Sequence, residues 1–164
     1  MVNNMNKMLK KKFKKIKLLV LDFDGVMTNN RVLVSEDGRE SVFCNRSDGL
    51  GIEMLQKKGV EVMVISTEKN KVVQARCKKL EIGCLNGIDN KRDVFLKEVK
   101  KRKLKLENVC FMGNDINDLE CIKTTRIGVA VADAYKEVLK FADYITEKKG
   151  GEGAVREVAD LILK

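Results

Sequence analysis

Apolar residues along this chain follow two alternating patterns. Five short, nearly uninterrupted apolar runs are typical of strands buried on both faces of a sheet: 17–23, 60–66, 82–85, 108–112 and 127–131. Between and after these runs, apolar residues recur at helical spacing in 49–58, 69–80, 91–101, 115–123, 135–141 and 154–163. This alternation predicts an α/β fold, a doubly wound parallel sheet with helices on both faces.

One segment interrupts the alternation of strand and helix. Residues 31–35 and 40–44 alternate apolar and polar positions around Asp37-Gly38, which predicts a β-hairpin. No repeat, low-complexity tract or linker divides the chain. We therefore expect one domain over residues 16–164, with the hairpin as a flap, preceded by a basic extension over residues 1–15.

The composition narrows the chemistry that the chain can perform. The 164 residues include no His, which excludes a Ser-His-Asp triad, a Cys-His pair and an imidazole metal site. Any acid, base or nucleophile must therefore be a carboxylate, a thiol or a lysine.

The formal net charge of +9 is concentrated at one end of the chain. Residues 1–17 hold seven lysines and no acid, which leaves 26 basic and 24 acidic residues in the remaining 147. We expect a frayed, solvated tail and neither a nucleic-acid nor a membrane partner. The apolar run after the tail is too short for a signal peptide, and no stretch approaches the length of a membrane span.

The five cysteines are odd in number, widely spaced and mostly within apolar runs. This pattern favours reduced, buried thiols in a cytoplasmic protein over a disulfide framework or a zinc site.

Polar side chains follow the first predicted strand, where ligands bind in such sheets. The run Asp22-Phe-Asp24-Gly25-Val-Met-Thr28 places two carboxylates two residues apart. Two acids so close repel each other unless a cation lies between them, and hard oxygen ligands suit Mg²⁺. One acid can serve as a nucleophile and the other as a proton donor. The alternative is a turn in which Asp and Gly simply end the strand.

Three further segments carry polar groups at the ends of predicted strands or at the start of a predicted helix. The second strand ends in Ser66-Thr67, Lys91 precedes a helix, and the fourth strand runs into Gly113-Asn-Asp-Ile-Asn-Asp118. Hydroxyls and a lysine can hold phosphoryl oxygens, although each is common by itself. Asn114 or Asp115 can start the following helix as a cap, but a cap does not account for Asp118.

The order of these four segments resembles the four motifs of the haloacid dehalogenase-like phosphotransferases. Within them the chain is most similar to the capless group that acts on phosphorylated keto-deoxy sugar acids. Asp48-Gly-Leu-Gly51, Ser66-Thr-Glu68 and Gly150-Gly-Glu-Gly-Ala-Val-Arg156 support that resemblance. Only the hairpin and one helix separate Asp24 from Ser66, so we expect no cap domain.

The resemblance implies a role for each matching residue. It implies that Asp22 is the nucleophile, that Asp24 is the general acid and base, and that Ser66 and Lys91 hold the phosphoryl oxygens. It also implies a Mg²⁺ site for which we name the following candidates: Asp22, Asp24, Asn114, Asp115 and Asp118. Candidates for contact with the substrate are Gly25, Thr28, Asp48, Gly49, Thr67, Glu68, Arg76, Lys79 and Arg156.

Two positions depart from the group's usual pattern. Many members have Asp where this chain has Asn114, which predicts weaker Mg²⁺ binding because an amide is an uncharged ligand. Asn114 and Glu68 together favour a nine-carbon, sialic-acid-type 9-phosphate as substrate, with 3-deoxy-octulosonate 8-phosphate as the alternative. Arg76 and Lys79 also fit an ordinary solvated helix face, and Arg156 fits a loop that caps the last helix.

The resemblance also implies partners. Members of the group typically form tetramers in which a neighbour's hairpin or tail closes the site, so we expect a homotetramer. An alternative function, suggested by Asn114, is a non-catalytic module that partners an acylneuraminate cytidylyltransferase. The two carboxylates of the first motif argue against that alternative, because a retired site has no reason to keep two mutually repelling acids.

Overall fold

A six-stranded parallel sheet forms the centre of the protein in the computed structural model, which describes residues 7–164. In chain order the elements are α1 (Lys7–Phe13), β1 (Leu18–Leu21), β2 (Thr28–Val34), β3 (Glu40–Cys44), α2 (Arg46–Lys57), β4 (Glu61–Ile65), α3 (Lys71–Leu80), β5 (Gly83–Leu85), α4 (Lys91–Lys101), β6 (Val109–Gly113), α5 (Leu119–Thr124), β7 (Ile127–Ala130), α6 (Lys136–Leu139), β8 (Tyr144–Ile145) and α7 (Ala154–Leu163). The strand order in the sheet is β5-β4-β1-β6-β7-β8.

The sheet has the arrangement that the apolar runs predict. Strands β1, β6 and β7 are buried at every position, as expected for strands covered on both faces, and helices flank the sheet. The direction of strand order reverses between β1 and β6, which pair in parallel with Leu21 opposite Met112. A crevice for ligands forms at such a switch point, beyond the carboxyl ends of the two strands. The prediction of a doubly wound α/β fold is confirmed.

The hairpin projects from the sheet as a separate two-stranded unit. Strands β2 and β3 pair antiparallel with Val32 opposite Val42, and Gly38 turns the chain between them at φ +78°. Four large apolar side chains of the hairpin are exposed: Val32, Leu33, Val34 and Phe43. The hairpin and α2 are the only elements between β1 and β4, so no cap domain is present among residues 22–61.

The amino-terminal lysine run differs from the predicted frayed tail. Residues 7–13 form helix α1, and Phe13 is fully buried with its ring edge against Tyr144 at 5.9 Å between centroids. Lys12 adds an ion pair with Asp143. The rest of the predicted extension, residues 1–6, lies outside the described residues.

Several predicted boundaries shift. The predicted helix over 115–123 is a 3₁₀ turn over Ile116–Asp118 followed by α5, and the one over 135–141 is the single turn α6. Strand β8 is additional.

Cys77, Cys110 and Cys121 are buried, and all five cysteines are free thiols. Within residues 7–164, no helix has the length and apolar character needed to span a membrane.

Candidate active site

The carboxyl ends of three neighbouring strands bring the predicted polar residues together. Asp22 follows β1, Ser66 follows β4 and Asn114 follows β6, and all three side chains are buried. Buried polar groups are rare unless they are hydrogen-bonded or bind something. This end of the sheet is therefore where chemistry is expected, and the contacts below show how each group is held.

A buried lysine joins two carboxylates at the centre of this site. Lys91 Nζ lies 2.7 Å from Asp22 Oδ1 and 2.8 Å from Asp118 Oδ1. Lys91 is the first residue of α4, and the Asn90 side chain fixes that helix start by accepting the N–H of Asp93 at 3.1 Å. The sequence places the lysine at a helix start, and the cap aims it into the sheet's carboxyl edge.

Burial and neighbouring charges both act on Asp22 and on Lys91. Burial and the neighbouring Asp118 carboxylate raise the pKa of Asp22 to about 7, against the opposing effect of Lys91. Burial works against the charge on Lys91 as well, but the two carboxylates outweigh it and raise the pKa of Lys91. The lysine thus stays protonated, whereas Asp22 holds its proton more readily than a free carboxyl group and needs positive charge nearby to be ionised.

Asp24 lies at the rim of the site, half-buried. The Thr28 hydroxyl faces Asp24 Oδ1 at 3.4 Å and accepts the N–H of Gly25 at 3.1 Å, so Thr28 shapes the loop after β1. Burial, followed by the negative charge of Glu68, raises the pKa of Asp24. A carboxyl group that holds its proton more readily than usual suits a general acid.

Three polar atoms converge beside Asp22 in an arrangement that fits a cation. One terminal atom of the Asn114 amide lies 2.9 Å from the carbonyl oxygen of Asp24 and 3.2 Å from Asp22 Oδ2. With the amide nitrogen there, Asn114 donates to both oxygens; with the amide oxygen there, that atom has one oxygen of each residue as a close neighbour. Neighbouring oxygens around an octahedral Mg²⁺ are about 2.9 Å apart, so the second orientation fits that ion.

This set includes only one carboxylate. Within residues 7–164, no three acidic, thiol or imidazole side chains are grouped as a metal site. The other two positions beside Asp22 belong to the Asn114 amide and the backbone carbonyl of Asp24, and Gly25 makes room for the amide. A Cβ on Gly25, whose φ is +80°, would lie 2.1 Å from Asn114 Nδ2.

The remaining predicted acids hold the loop after β6. Asp118 Oδ2 accepts the N–H of Asn114 at 2.9 Å and that of Asp115 at 3.3 Å. Asp115 accepts the N–H of Ile116 at 2.6 Å and starts the 3₁₀ turn. Asp118 is thus fixed between these backbone amides and Lys91. Its contacts hold the loop after β6 and the Lys91 ammonium in place. A metal role for Asp115 and Asp118 stays a prediction.

The end of β4 contributes hydroxyl groups. Ser66 is buried, and its Oγ accepts the N–H of Glu68 at 3.1 Å. The exposed Thr67 accepts a hydrogen bond from Asn117 Nδ2 at 3.4 Å, which ties this strand end to the turn after β6. Glu68 caps the local turn by accepting the N–H groups of Lys69 and Asn70.

The predicted basic contacts to substrate are more scattered. Arg76 donates from Nη2 to the carbonyl of Asn45 at 3.2 Å, and Lys79 is exposed on the same helix. Arg156 Nε pairs with Asp160 at 2.9 Å, on the next turn of α7. A role for these three side chains in binding the substrate stays a prediction.

Asp48 has a contact that sequence reasoning did not anticipate. Helix α7 is preceded at its N-cap position by Gly153, which has no side chain to cap the helix, and Asp48 Oδ1 accepts the N–H of Arg156 at 2.8 Å instead. Asp48 is thus a cap supplied by α2, and Gly49 packs in the same helix against Arg76 and Leu80. The sequence did contain one signal for this contact: a run of glycines before a predicted helix leaves the helix without a local capping side chain.

The glycine run capped in this way contacts the loop of Asp24. Gly151 donates its N–H to the carbonyl of Val26 at 3.0 Å, and a Cβ on Gly150 would lie 1.9 Å from the carbonyl oxygen of Gly25. Asp133, which sequence reasoning also missed, accepts the N–H of Gly150 at 3.0 Å. The start of α7 therefore supports the backbone that carries Asp24.

Comparisons with known proteins agree with this geometry. The family model of the haloacid dehalogenase-like hydrolases matches residues 85–158. The 3-deoxy-D-manno-octulosonate 8-phosphate phosphatase KdsC of Escherichia coli K12 is 39% identical over 153 residues, covering 93% of this chain and 81% of that protein.

Two solved structures are similar as well. The 3-deoxy-D-manno-octulosonate 8-phosphate phosphatase of Moraxella catarrhalis, in complex with magnesium, phosphate and KDO, has a TM-score of 0.92 at 32% identity; the match covers 95% of this chain and 90% of that one. The cobalt-bound deoxy-D-mannose-octulosonate 8-phosphate phosphatase of Haemophilus influenzae has a TM-score of 0.89 at 30% identity. The match covers 93% of this chain and 90% of that one.

Proposed function

The chain belongs to the haloacid dehalogenase-like hydrolases, in their capless group of keto-deoxy sugar acid phosphatases, and we propose that it hydrolyses 3-deoxy-D-manno-octulosonate 8-phosphate with Mg²⁺ as cofactor. The observation that carries the proposal is the grouping of Asp22, Lys91 and the Asn114 amide around one point, with Asp24 at the rim. That grouping provides a nucleophile, positive charge and a proton donor for phosphoryl transfer.

The eight-carbon substrate replaces the nine-carbon substrate as our first choice. Asn114 and Glu68 favour the nine-carbon acid, but they are two positions, whereas the relatives that resemble this chain over nine-tenths of its length act on the eight-carbon acid by name. We infer that the two departures adjust metal affinity and the charge near Asp24 within the same reaction.

In the proposed reaction, a carboxylate oxygen of Asp22 attacks phosphorus and the bond to the sugar oxygen breaks, giving an aspartyl phosphate. Asp24 donates its proton to the departing sugar oxygen. Asp24 then accepts a proton from a water molecule that attacks the same phosphorus, which frees Asp22 and releases phosphate. The ammonium of Lys91 keeps Asp22 ionised before attack and stabilises charge on the phosphoryl oxygens.

The metal site of the proposal consists of Asp22, the carbonyl of Asp24 and Asn114. Mg²⁺, when bound, supplies positive charge that neutralises the transferring phosphoryl group. Asp118 positions the loop of Asn114 through two backbone N–H groups, and we assign the buried Ser66 at the end of β4 to hold a phosphoryl oxygen.

Kinetics on three substrates test the proposal. We expect Mg²⁺-dependent phosphate release, with the largest kcat/KM for 3-deoxy-D-manno-octulosonate 8-phosphate. N-acetylneuraminate 9-phosphate and deaminoneuraminate 9-phosphate should be at least about tenfold worse, the effect of one lost polar contact. A larger kcat/KM for either nine-carbon compound would overturn the substrate assignment. If folded, Mg²⁺-loaded protein turns over none of the three substrates, the assignment of phosphatase activity is overturned.

The exposed hairpin supports the second part of the proposal, a homotetramer. Val34 and Phe43 expose 59% and 75% of their surface, which is costly for large apolar side chains unless a neighbouring copy covers them. Sedimentation equilibrium should give four times the mass of one chain, and the double variant Val34→Lys with Phe43→Lys should sediment as a smaller species. A monomeric wild-type protein would contradict this part of the proposal alone.

A further inference from the structure

A large basic cavity lies between α1 and α7, outside the candidate active site. Its volume is about 1180 Å³, and its walls are formed by α1, the start of α2, the segment around Lys148 and the exposed face of α7. Seven basic and four acidic side chains line it. Asp22, Asp24, Ser66, Lys91 and Asn114 do not line it, although Arg156, one of the candidate contacts to the substrate, does.

One wall of the cavity is a row of four lysines on α1. Lys7, Lys10, Lys11 and Lys14 follow the spacing i, i+3, i+4, i+7, which places them on one helix face, and all four line the cavity. The N–H of Lys14 still bonds to the carbonyl of Lys10, so the row continues through the last turn. Within residues 7–164, none of the four pairs with an acid, although like charges at this spacing repel.

The opposite face of α1 explains why the lysine row is fixed in space. Phe13 is fully buried against Tyr144, and Leu9 packs against the core. Lys12, which lies off the row, is the lysine that pairs with Asp143. The helix is thus anchored through its apolar side, and its unpaired charges face the cavity.

The facing wall carries three basic and four acidic side chains, so the excess positive charge of the cavity comes from α1, and two of these four acids are already bonded. Glu157 accepts the Tyr144 hydroxyl at 2.7 Å and the backbone N–H groups of Glu147 and Lys148, and Asp160 accepts Arg156 Nε at 2.9 Å. Lys148 and Lys164 also line this wall. Lysine side chains from both walls therefore face one concave space. Half of the carboxylates in that space already accept hydrogen bonds from the protein.

We propose that this cavity is a second anion site that binds a compact polyphosphate, a small molecule with two or more linked phosphate groups. Lys7 and Lys14 are about 10 Å apart along the helix, so their ammonium groups match a chain of several phosphates better than a single one. The concave space between the two walls is open enough to admit a small ligand that touches both walls, whereas a membrane surface or a duplex would contact one wall only. Lysine ammonium groups are common phosphate ligands.

Calorimetric titration with inorganic tripolyphosphate tests the site. The titration is done without Mg²⁺, at near-physiological ionic strength, and it does not use turnover, so its outcome is independent of the proposed phosphatase activity. We expect saturable binding with one tripolyphosphate per chain, and much weaker binding of orthophosphate. Absence of saturable binding, or equal affinity for both anions, would overturn the proposal.

Two variants and a matched control locate the binding. Replacing Lys7, Lys10, Lys11 and Lys14 by Gln, which keeps helix propensity, should weaken tripolyphosphate binding at least about tenfold. The second variant, Lys148→Gln with Lys164→Gln, tests the facing wall without altering α1, and its affinity should also fall.

The control removes the same charge from exposed positions near α4, by replacing Lys97, Lys100, Lys101 and Lys105 with Gln. Its affinity should stay within about twofold of wild type, because general charge acts weakly once salt screens it. An equal loss in the control and the α1 variant would show non-specific attraction and contradict a site. Displacement of tripolyphosphate by duplex DNA at equal phosphate concentration would contradict a small-molecule site.

Discussion

The ammonium nitrogen of Lys91 lies 2.7 Å from Asp22 Oδ1, and the side chains of both residues are almost fully buried. The same nitrogen is 2.8 Å from Asp118 Oδ1, so one positive charge serves two buried carboxylates. Charges removed from water are tolerated only when they are paired. The stability of the site and the ionisation of its nucleophile therefore depend on the same lysine.

Replacing Lys91 by Met should cost both stability and activity. Met keeps most of the volume but leaves two unpaired buried carboxylates, so the free energy of unfolding should fall by about 3–5 kcal/mol. Urea unfolding without Mg²⁺ measures this. The control is Lys97→Met, an exposed lysine on the same helix, which should stay within about 0.5 kcal/mol of wild type. Equal stability of the two variants would show that Lys91 does not hold the carboxylates.

Much of this site follows from the sequence because its parts are local. Asp22 and Asp24 are two residues apart, Asn90 caps the helix that begins at Lys91, and α4 and α7 occupy the predicted ranges. Each of these features is determined by neighbours within a few positions of the chain. Their meeting at one edge then follows from the parallel sheet.

Asn114→Asp should strengthen Mg²⁺ binding. A carboxylate at this position would give the cation a second charged ligand, and we expect the dissociation constant to fall by about tenfold in calorimetric titration. Without Mg²⁺ the same variant should be less stable than wild type, because a further buried carboxylate then faces Asp22. Asn117→Asp is the control, since it adds the same charge at an exposed position three residues away.

An unchanged Mg²⁺ affinity in Asn114→Asp would mean that the amide does not contact the ion. A comparable gain in the Asn117→Asp control would mean that charge at a distance, and not ligation, sets the affinity.

Asp48→Asn should change how stability depends on pH. Burial raises the pKa of Asp48 to about 6, from 3.8 for the free group, so the folded protein holds a proton that the unfolded chain releases. The contribution of Asp48 is therefore fully present below about pH 4 and is lost as pH rises to about 6. Its upper bound is about 3 kcal/mol.

The Asn variant lacks this titration. Relative to wild type, the variant's free energy of unfolding should become larger, that is more stabilising, as pH rises from about 4 to about 7 in urea titrations without Mg²⁺. The exposed Asp89→Asn serves as control and should show the wild-type pH dependence. A parallel pH dependence in Asp48→Asn and wild type would contradict the shifted pKa.

Gly150→Ala should damage the active site from outside it. The new Cβ would lie 1.9 Å from the carbonyl oxygen of Gly25, so the loop of Asp24 has to move. We expect kcat/KM and Mg²⁺ affinity each to fall at least about tenfold, as misplacement of catalytic groups by about 1 Å can cost more than that.

Gly59→Ala separates this effect from backbone strain. Gly59 has φ +75° and open space around its Cβ position, so Ala there should cost about 1 kcal/mol of stability and leave kcat/KM unchanged. Wild-type activity in Gly150→Ala would show that the glycine run does not support the Asp24 loop.

The features that the sequence did not reveal depend on distant contacts. Asp48 and Arg156 are 108 positions apart, and a capping bond over that separation leaves no local pattern. The guanidinium of Arg156 pairs with Asp160 four positions away, and its contact with the substrate stays a prediction. The sequence did not predict helix α1, because a run of lysines is typical of a solvated tail. Only the burial of Phe13 in the structure shows that the segment packs on the core.

The most direct test of the account is the rate of phosphate release from 3-deoxy-D-manno-octulosonate 8-phosphate, with Mg²⁺, by wild type and Asp22→Asn. Asn is nearly isosteric and removes the like-charge conflict with Asp118, so the variant should remain folded, which its circular dichroism and thermal midpoint will verify. We predict Mg²⁺-dependent turnover by wild type and a loss of at least about a thousandfold in kcat for the variant. Turnover by Asp22→Asn close to that of wild type would contradict it.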